Sequence, residues 1–265
     1  MYETNYHKAN DVNDAANKMG KADDGKYLAG GQTLLPTMKA RLAAPSDLID
    51  LGGIGAMKGI TVDGGIVTIG AGVTHAEVAG SAEVAGAIPA LADLAGLIGD
   101  PAVRHRGTIG GSLANNDPAA DYPAAALGLG ATIVTNAREI TADDFFTGLF
   151  ETALNDGEII TAVRFPVPAK AGYEKFPNPA SRYAIVGVMV AQTDAGARVA
   201  VTGAGEGGVF RHAAAETALS GDFSEAALGS VSTDADGMMS DIHAAADYRA
   251  NLVTVMTKRA TLKAG

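Results

Sequence analysis

The sequence predicts a mixed α/β (α+β) protein built in two parts, and three observations carry that reading. Short apolar runs of strand character take turns with stretches whose apolar residues recur at helical spacing, as far as about residue 165. A segment of linker composition follows, Pro166-Val-Pro-Ala-Lys-Ala-Gly172, and beyond it come further strands and helices. Glycine supplies 34 of the 265 residues, which suits a chain of short strands and many turns. That length allows one large or two modest domains, and the linker puts a boundary near residue 170, giving parts 1–170 and 171–265.

Taken in order, Asn10 is placed to cap a short helix in which Val12, Ala15, Ala16 and Met19 share a face, with Gly20 as the stop. The Lys26 to Ala29 run reads as a strand feeding the pair Gly30-Gly31, and Pro36, Met38 and Arg41 fall on a short helix beyond it. Asp47 to Leu51 is the next strand. From Lys58 to Gly70, two strand-like runs flank Asp63-Gly64-Gly65, a hairpin signal. Thr74 and Glu77 form a T-x-x-E capping box for a helix through Ala79. Leu91, Leu94, Ala95 and Ile98 give a second helical face, which Asp100-Pro101 breaks. Pro118 to Leu129 reads as a helix, Ala131 to Thr135 as a strand, Thr141 with Asp144 as a further helix cap, and Glu158 to Phe165 as a strand. Past the linker, strands are expected at Tyr183 to Gln192 and Arg198 to Thr202. Helices follow at Arg211 to Leu219, near Ser224 to Leu228, and from Ile242 to about Leu262.

The stretch DPAVRHRGTIGGSLANNDPAADYP, Asp100 to Pro123, stands apart. Gly107, Gly110 and Gly111 allow tight turns with φ > 0, and successive exposed N–H groups there would form an anion nest suited to a phosphate or pyrophosphate. Asn115, Asn116, Asp117 and Asp121 would bond sugar or ribityl hydroxyls or simply cap turns, so the stretch alone also reads as a Gly-rich loop with Asx turns. A second stretch, Tyr27 to Pro36, carries another glycine pair after an apolar run. Two such loops could grip one extended, phosphate-bearing ligand.

AGGQTLLPTMKARLA (Ala29 to Ala43) with RGTIGGSLANNDPAADYPAAALGLGA (Arg106 to Ala131), in order and at the family's spacing, resembles the FAD-binding medium subunit of molybdenum hydroxylases. It is most similar to the carbon monoxide dehydrogenase-like members, xanthine dehydrogenase being more distant. The resemblance runs nearly end to end, through YEKF (Tyr173 to Phe176) and ADYRANLV (Ala246 to Val253). It implies a two-lobed FAD-binding domain of the PCMH/vanillyl-alcohol-oxidase type, with lobes at about 1–55 and 56–170. A smaller carbon monoxide dehydrogenase flavoprotein-like C-terminal α/β domain would cover the flavin end. It further implies that backbone amides of Ala29, Gly30, Gly31, Gln32 and Thr33, and of Thr108, Ile109, Gly110, Gly111 and Ser112, cradle the pyrophosphate. Asp121 would contact the cofactor, with Ile98, Ile160 and Lys175 at its periphery, and Tyr183 would cover one face of the isoalloxazine. Just before that tyrosine, Asn178-Pro-Ala-Ser-Arg182 replaces the family's basic run ending in Asp. The implied partners are an iron–sulfur small subunit and a molybdopterin large subunit, in a dimer of heterotrimers that passes electrons through FAD to an external acceptor. The competing reading is a non-catalytic assembly scaffold that keeps the fold, and the intact glycine pairs argue against it.

Composition narrows the rest. A net charge of -10 argues against nucleic acid, whose binding rests on phosphate neutralisation by Lys and Arg. With no cysteine, the chain itself forms neither disulfides nor thiolate-ligated clusters. The start, MYETNYHKANDV, lacks a basic region followed by an apolar one, and no apolar run is long enough to span a bilayer, so a cytoplasmic protein is expected. The histidines His7, His75, His105, His212 and His243 make no metal pattern, and no metal is expected. Neither Ser112 nor Ser181 has an evident base. Gly203-Ala-Gly205-Glu-Gly-Gly208 matches G-x-G-x-x-G, but the mostly helical remainder offers no further βα units, so it reads as a structural strand-to-helix turn rather than a Rossmann site.

Overall fold

The computed structural model describes residues 1–265, in three principal sheets joined by short helices. The first sheet is parallel, with Asp47–Asp50 between Asn5–Lys8 and Gly25–Leu28. Parallel pairing needs crossovers, and the helices Val12–Met19 and Leu34–Lys39 supply them. The cap of the first helix is Asp11, not the expected Asn10: Asp11 is extended and its carboxylate accepts from Asp14 N. Asn10 instead donates to the Asp14 carboxylate from both its backbone and its amide nitrogen. The second helix stops at Lys39, short of Arg41, whose φ is +62°.

The second sheet is antiparallel, in the order Ile60–Asp63, Ile66–Gly70, Ile160–Pro166, Thr132–Thr135, Glu139–Thr141. Gly64 and Gly65, at φ +55° and +76°, make its first two-residue hairpin turn, a geometry that matches the strand twist. The expected T-x-x-E box forms in full: Thr74 accepts from Glu77 N and Glu77 accepts from Thr74 N, starting the helix His75–Gly80. Thr141 behaves differently. Its hydroxyl donates to Asp144, 2.7 Å away, and accepts nothing from the helix it precedes, Ala142–Phe145. The helix Ala82–Ala87 and the small Phe146–Gly148/Glu151–Thr152 hairpin are additions the pattern did not reveal.

The third sheet is antiparallel, in the order Lys170–Pro177, Ala184–Thr193, Gly196–Thr202, Phe210–Arg211. Its first strand takes in much of the expected linker. Lys170, Ala171 and Gly172 pair with Gln192, Ala191 and Val190, so cross-strand pairing overrides their weak intrinsic preference. Ala184 to Ala191 is buried throughout, because the sheet is covered on both faces. Met189 and Ala191 face the core shared with the first 170 residues, while Val186, Val188 and Val190 face a second core under the helices Ala213–Gly221 and Ala246–Ala264. That last helix starts four residues later than expected, because Asp241 ties up His243 N and Ala244 N in a turn.

The G-x-G-x-x-G segment is not a strand-to-helix turn. It joins Gly196–Thr202 to its antiparallel neighbour Phe210–Arg211, and the helix begins only at Ala213. A dinucleotide fingerprint needs a parallel βαβ unit at this point, and none is present. No helix is long and apolar enough to cross a membrane.

Candidate cofactor site

The two glycine stretches are brought together backbone to backbone. A Cβ on Gly30 would collide with the Arg106 carbonyl and lie 2.7 Å from Gly107 Cα, so a hydrogen at that position is what lets the stretches touch. Ala29 Cβ lies 3.7 Å from where a Gly111 Cβ would stand.

The central stretch is a helix rather than a loop. Ile109–Asn115 is helical, with Thr108 as N-cap and Asn116 in the left-handed region as C-cap. Gly107, Gly110 and Gly111 have no positive φ, so the expected tight turns are absent. These glycines serve close packing instead. A Cβ on Gly107 would lie 2.5 Å from His75 Nε2, and one on Gly110 would lie 2.6 Å from Ala71 Cβ. Two adjacent glycines cost a helix about 1 kcal/mol each, which hides it from a propensity reading. The signal that could have found it is Thr108, a hydroxyl N-cap that accepts from Gly111 N at 3.1 Å.

The backbone donors divide unequally. Ile109 N donates to Val73 O, Gly110 N to Ala71 O, Gly111 N to the Thr108 hydroxyl and Ser112 N to Thr108 O. In contrast, the N–H groups of Ala29, Gly30, Gly31, Gln32 and Thr33 meet no protein acceptor, nor does that of Thr108. Gly31, at φ +72°, turns this row between the strand Gly25–Leu28 and the helix Leu34–Lys39. A run of uncommitted amides beside a helix N-terminus, without a carboxylate in Ala29 to Thr33, fits a phosphate-bearing group.

The remaining expected residues gather at the junction with the third sheet, with one exception. Asp121 is 4 % exposed and faces Tyr173 and Lys175 from the strand Lys170–Pro177. Lys175 Nζ is 3.0 Å from each carboxylate oxygen and also donates to Leu97 O at 3.1 Å, beside Ile98. The chain before Asp121 is stitched to the same sheet. Gly203 N and the Thr202 hydroxyl donate to Pro118 O, Ala184 N to Ala119 O, and the Thr202 hydroxyl to Ala120 O.

Tyr183 precedes the strand Ala184–Thr193 and is 46 % exposed. Burial of its ring, with the charges of Asp117 and Asp121, pushes its phenol pKa up. The divergent segment before it closes on itself: Asn178 Oδ1 accepts from Ala180 N and Ser181 N, and Asn178 N donates to Tyr183 O. Ile160 is the exception, buried in the main core at a register shift opposite Thr135. Its neighbour Thr161 accepts from Ala71 N, which puts this strand behind Gly110.

Asn116 and Asp117 take the turn-capping role. Asn116 Nδ2 donates to Gly148 O and Glu151 O, and Asp117 Oδ1 accepts from Ala119 N. Two groups under the glycine helix are buried, Tyr122, which the sequence reading passed over, and His75, which it weighed only as a metal ligand. His75 Nδ1 and the Tyr122 hydroxyl have no partner, and their rings lie 5.3 Å apart. Burial, and then the charge of Arg104, lower the His75 pKa to about 4, so its ring is neutral at pH 7.

Residues 2–168 match the family described as the FAD binding domain in molybdopterin dehydrogenase. The chain belongs to that family. It is 35 % identical to the nicotine 6-hydroxylase medium subunit of Paenarthrobacter nicotinovorans, over 96 % of this chain and 94 % of that one. It is 34 % identical to the carbon monoxide dehydrogenase medium chain of Afipia carboxidovorans, over 98 % and 96 %. Among solved structures, the carbon monoxide dehydrogenase from Hydrogenophaga pseudoflava lacking the Mo-pyranopterin moiety of its cofactor superposes with a TM-score of 0.88. There the identity is 34 % and the coverage 99 % and 97 %. The chain is thus an FAD-binding medium subunit of the molybdenum hydroxylase type, an oxidoreductase flavoprotein, and its relatives serve in multi-subunit enzymes.

Proposed function

We propose that FAD is held between the two glycine stretches, and that this subunit relays electrons from an iron–sulfur small subunit to an external acceptor. Substrate oxidation would belong to a molybdopterin large subunit, the whole assembling in the cytoplasm as a dimer of heterotrimers. When bound, FAD supplies the redox chemistry; the protein supplies binding, orientation and electrostatics. In this reading residues 1–170 bind the cofactor, in lobes of about 1–55 and 56–170, and residues 171–265 close over its flavin end.

The carrying observation is the row of uncommitted amides at Ala29 to Thr33, pressed against the capped helix at Thr108. These amides hold the pyrophosphate. The side chains of Gln32, Thr33 and Ser112, with Thr108 N, complete the cradle, while Ile109, Gly110 and Gly111 shape it by close packing. Asp121 and Lys175 set the charge near the ring system, with Ile98 beside them and Ile160 behind the cradle. Tyr183 shields one face of the flavin. A scaffold reading leaves the open amides without a purpose.

The absorption spectrum of the purified chain tests the proposal. A flavin spectrum at near one FAD per chain is expected, together with co-purification of a Cys-rich small subunit and a molybdenum-containing large one. A colourless chain that stays so after incubation with FAD would overturn it.

A further inference from the structure

Tyr173 is wholly buried on the strand Lys170–Pro177, and its hydroxyl donates to the Asp121 carboxylate. Tyr173 and Lys175 stand two apart on that strand and therefore point to the same face, where one carboxylate meets both. Room for the hydroxyl is reserved by Gly187 on the neighbouring strand, since a Cβ there would collide with it and lie 3.2 Å from the ring carbon that bears it. Asp121 cannot drift to find other donors, because Pro118, Ala119 and Ala120 are all hydrogen-bonded to the third sheet.

We propose that Tyr173 is a positioning residue for the flavin: its hydrogen bond to Asp121 occupies part of the carboxylate and so sets how much of the Lys175 charge is left to act on the cofactor. The proposal rests on the FAD site proposed above. A buried ion pair is sustained only when its spare lone pairs are also satisfied, and here the phenol does that. Burial pushes the Asp121 pKa up, and the Lys175 charge and the Tyr173 hydrogen bond work against that push. A buried hydroxyl is costly unless it is bonded, so packing alone would be served as well by phenylalanine. Without the hydroxyl, Lys175 becomes the carboxylate's only side-chain donor, and more of its charge is spent on balancing Asp121.

The test is the two-electron midpoint potential of FAD in the full-length chain carrying Tyr173→Phe. The variant should bind FAD and favour the reduced over the oxidised cofactor about tenfold less than wild type, a fall of about 30 mV. In an Asp121→Asn/Lys175→Met background the same substitution should leave the potential where it was. A fluorinated tyrosine at position 173 keeps the shape and strengthens the donor, and should move the potential upward, which decides the matter if Tyr173→Phe does not fold. An unchanged potential in either probe, or an equal shift in the charge-free background, overturns the proposal and returns Tyr173 to core packing. A wild-type chain that does not bind FAD removes the site reading itself, and this proposal with it.

Discussion

The Cα hydrogen of Gly30 and the carbonyl of Arg106 share a space too small for a methyl group. The contact joins the turn after the strand Gly25–Leu28 to the turn after the helix Pro101–Arg104, at the place where the open amides begin. Gly30→Ala should therefore push the two stretches apart, at a cost of about 1–3 kcal/mol for overpacking. FAD should be lost on desalting while the circular dichroism stays that of a folded chain. Retention of stoichiometric FAD would show that the stretches do not grip the cofactor jointly.

Gly111 offers a gentler probe of the same cradle. A Cβ there would meet the Thr108 hydroxyl at 3.0 Å and Ala29 Cβ at 3.7 Å, with no backbone in the way. Alanine is also the better helix former by about 1 kcal/mol. Gly111→Ala should leave the melting temperature within a few degrees of wild type and weaken FAD binding about tenfold, measured by titrating the apo-chain. Gly110→Ala is expected to behave oppositely, losing stability first, because its side chain would enter the space of Ala71 Cβ and O, 2.6 and 2.8 Å away.

His75 makes stability depend on pH. Its pKa falls from 6.5 to about 4 on folding, so between those values the unfolded chain binds more protons than the folded one. Its contribution is complete above pH 6.5 and is lost as the pH drops toward 4. At pH 5 the loss should be roughly 2 kcal/mol relative to pH 7.5, at 1.36 kcal/mol per unit. Urea unfolding of wild type against His75→Phe at the two pH values isolates this share. Equal pH slopes for both proteins would mean that the buried imidazole is not the source.

Tyr183 is half exposed, so Tyr183→Ala should cost little stability and leave FAD bound by the amide cradle. An aromatic contact with the flavin is worth on the order of 0.5–1.5 kcal/mol beyond burial. The alanine variant should shift the flavin absorption spectrum and speed reoxidation by oxygen in a stopped-flow measurement. Tyr183→Phe should match wild type in both. A spectrum and reoxidation rate unchanged in the alanine variant would make Tyr183 an ordinary surface aromatic.

Local signals in the sequence were read well where one residue decides one structure. The Gly64-Gly65 turn and the Thr74–Glu77 box needed no distant partner. Reading failed where packing decides. The helix Ile109–Asn115 exists because Gly110 fits against Ala71 and Gly107 against His75, neighbours that spacing along the chain does not reveal. The same limit hid the unequal commitment of the amides. The Val73 and Ala71 carbonyls come from another segment and take up Ile109 N and Gly110 N, while Ala29 to Thr33 receive no such neighbour. Lys170 to Gly172 looked like linker because its strand character comes from pairing with Val190 to Gln192.

The stitching of Pro118, Ala119 and Ala120 to Thr202, Gly203 and Ala184 limits how this chain can be recombined with its relatives. Cutting near residue 170 would leave those carbonyls without donors and strand the Asp121 carboxylate away from Tyr173 and Lys175. A chimera that exchanges everything past residue 170 keeps this seam only if the incoming half brings its own tyrosine, lysine and threonine to positions 173, 175 and 202. The two sides of this seam form one structural unit, even though some fifty residues separate Asp121 from Tyr173.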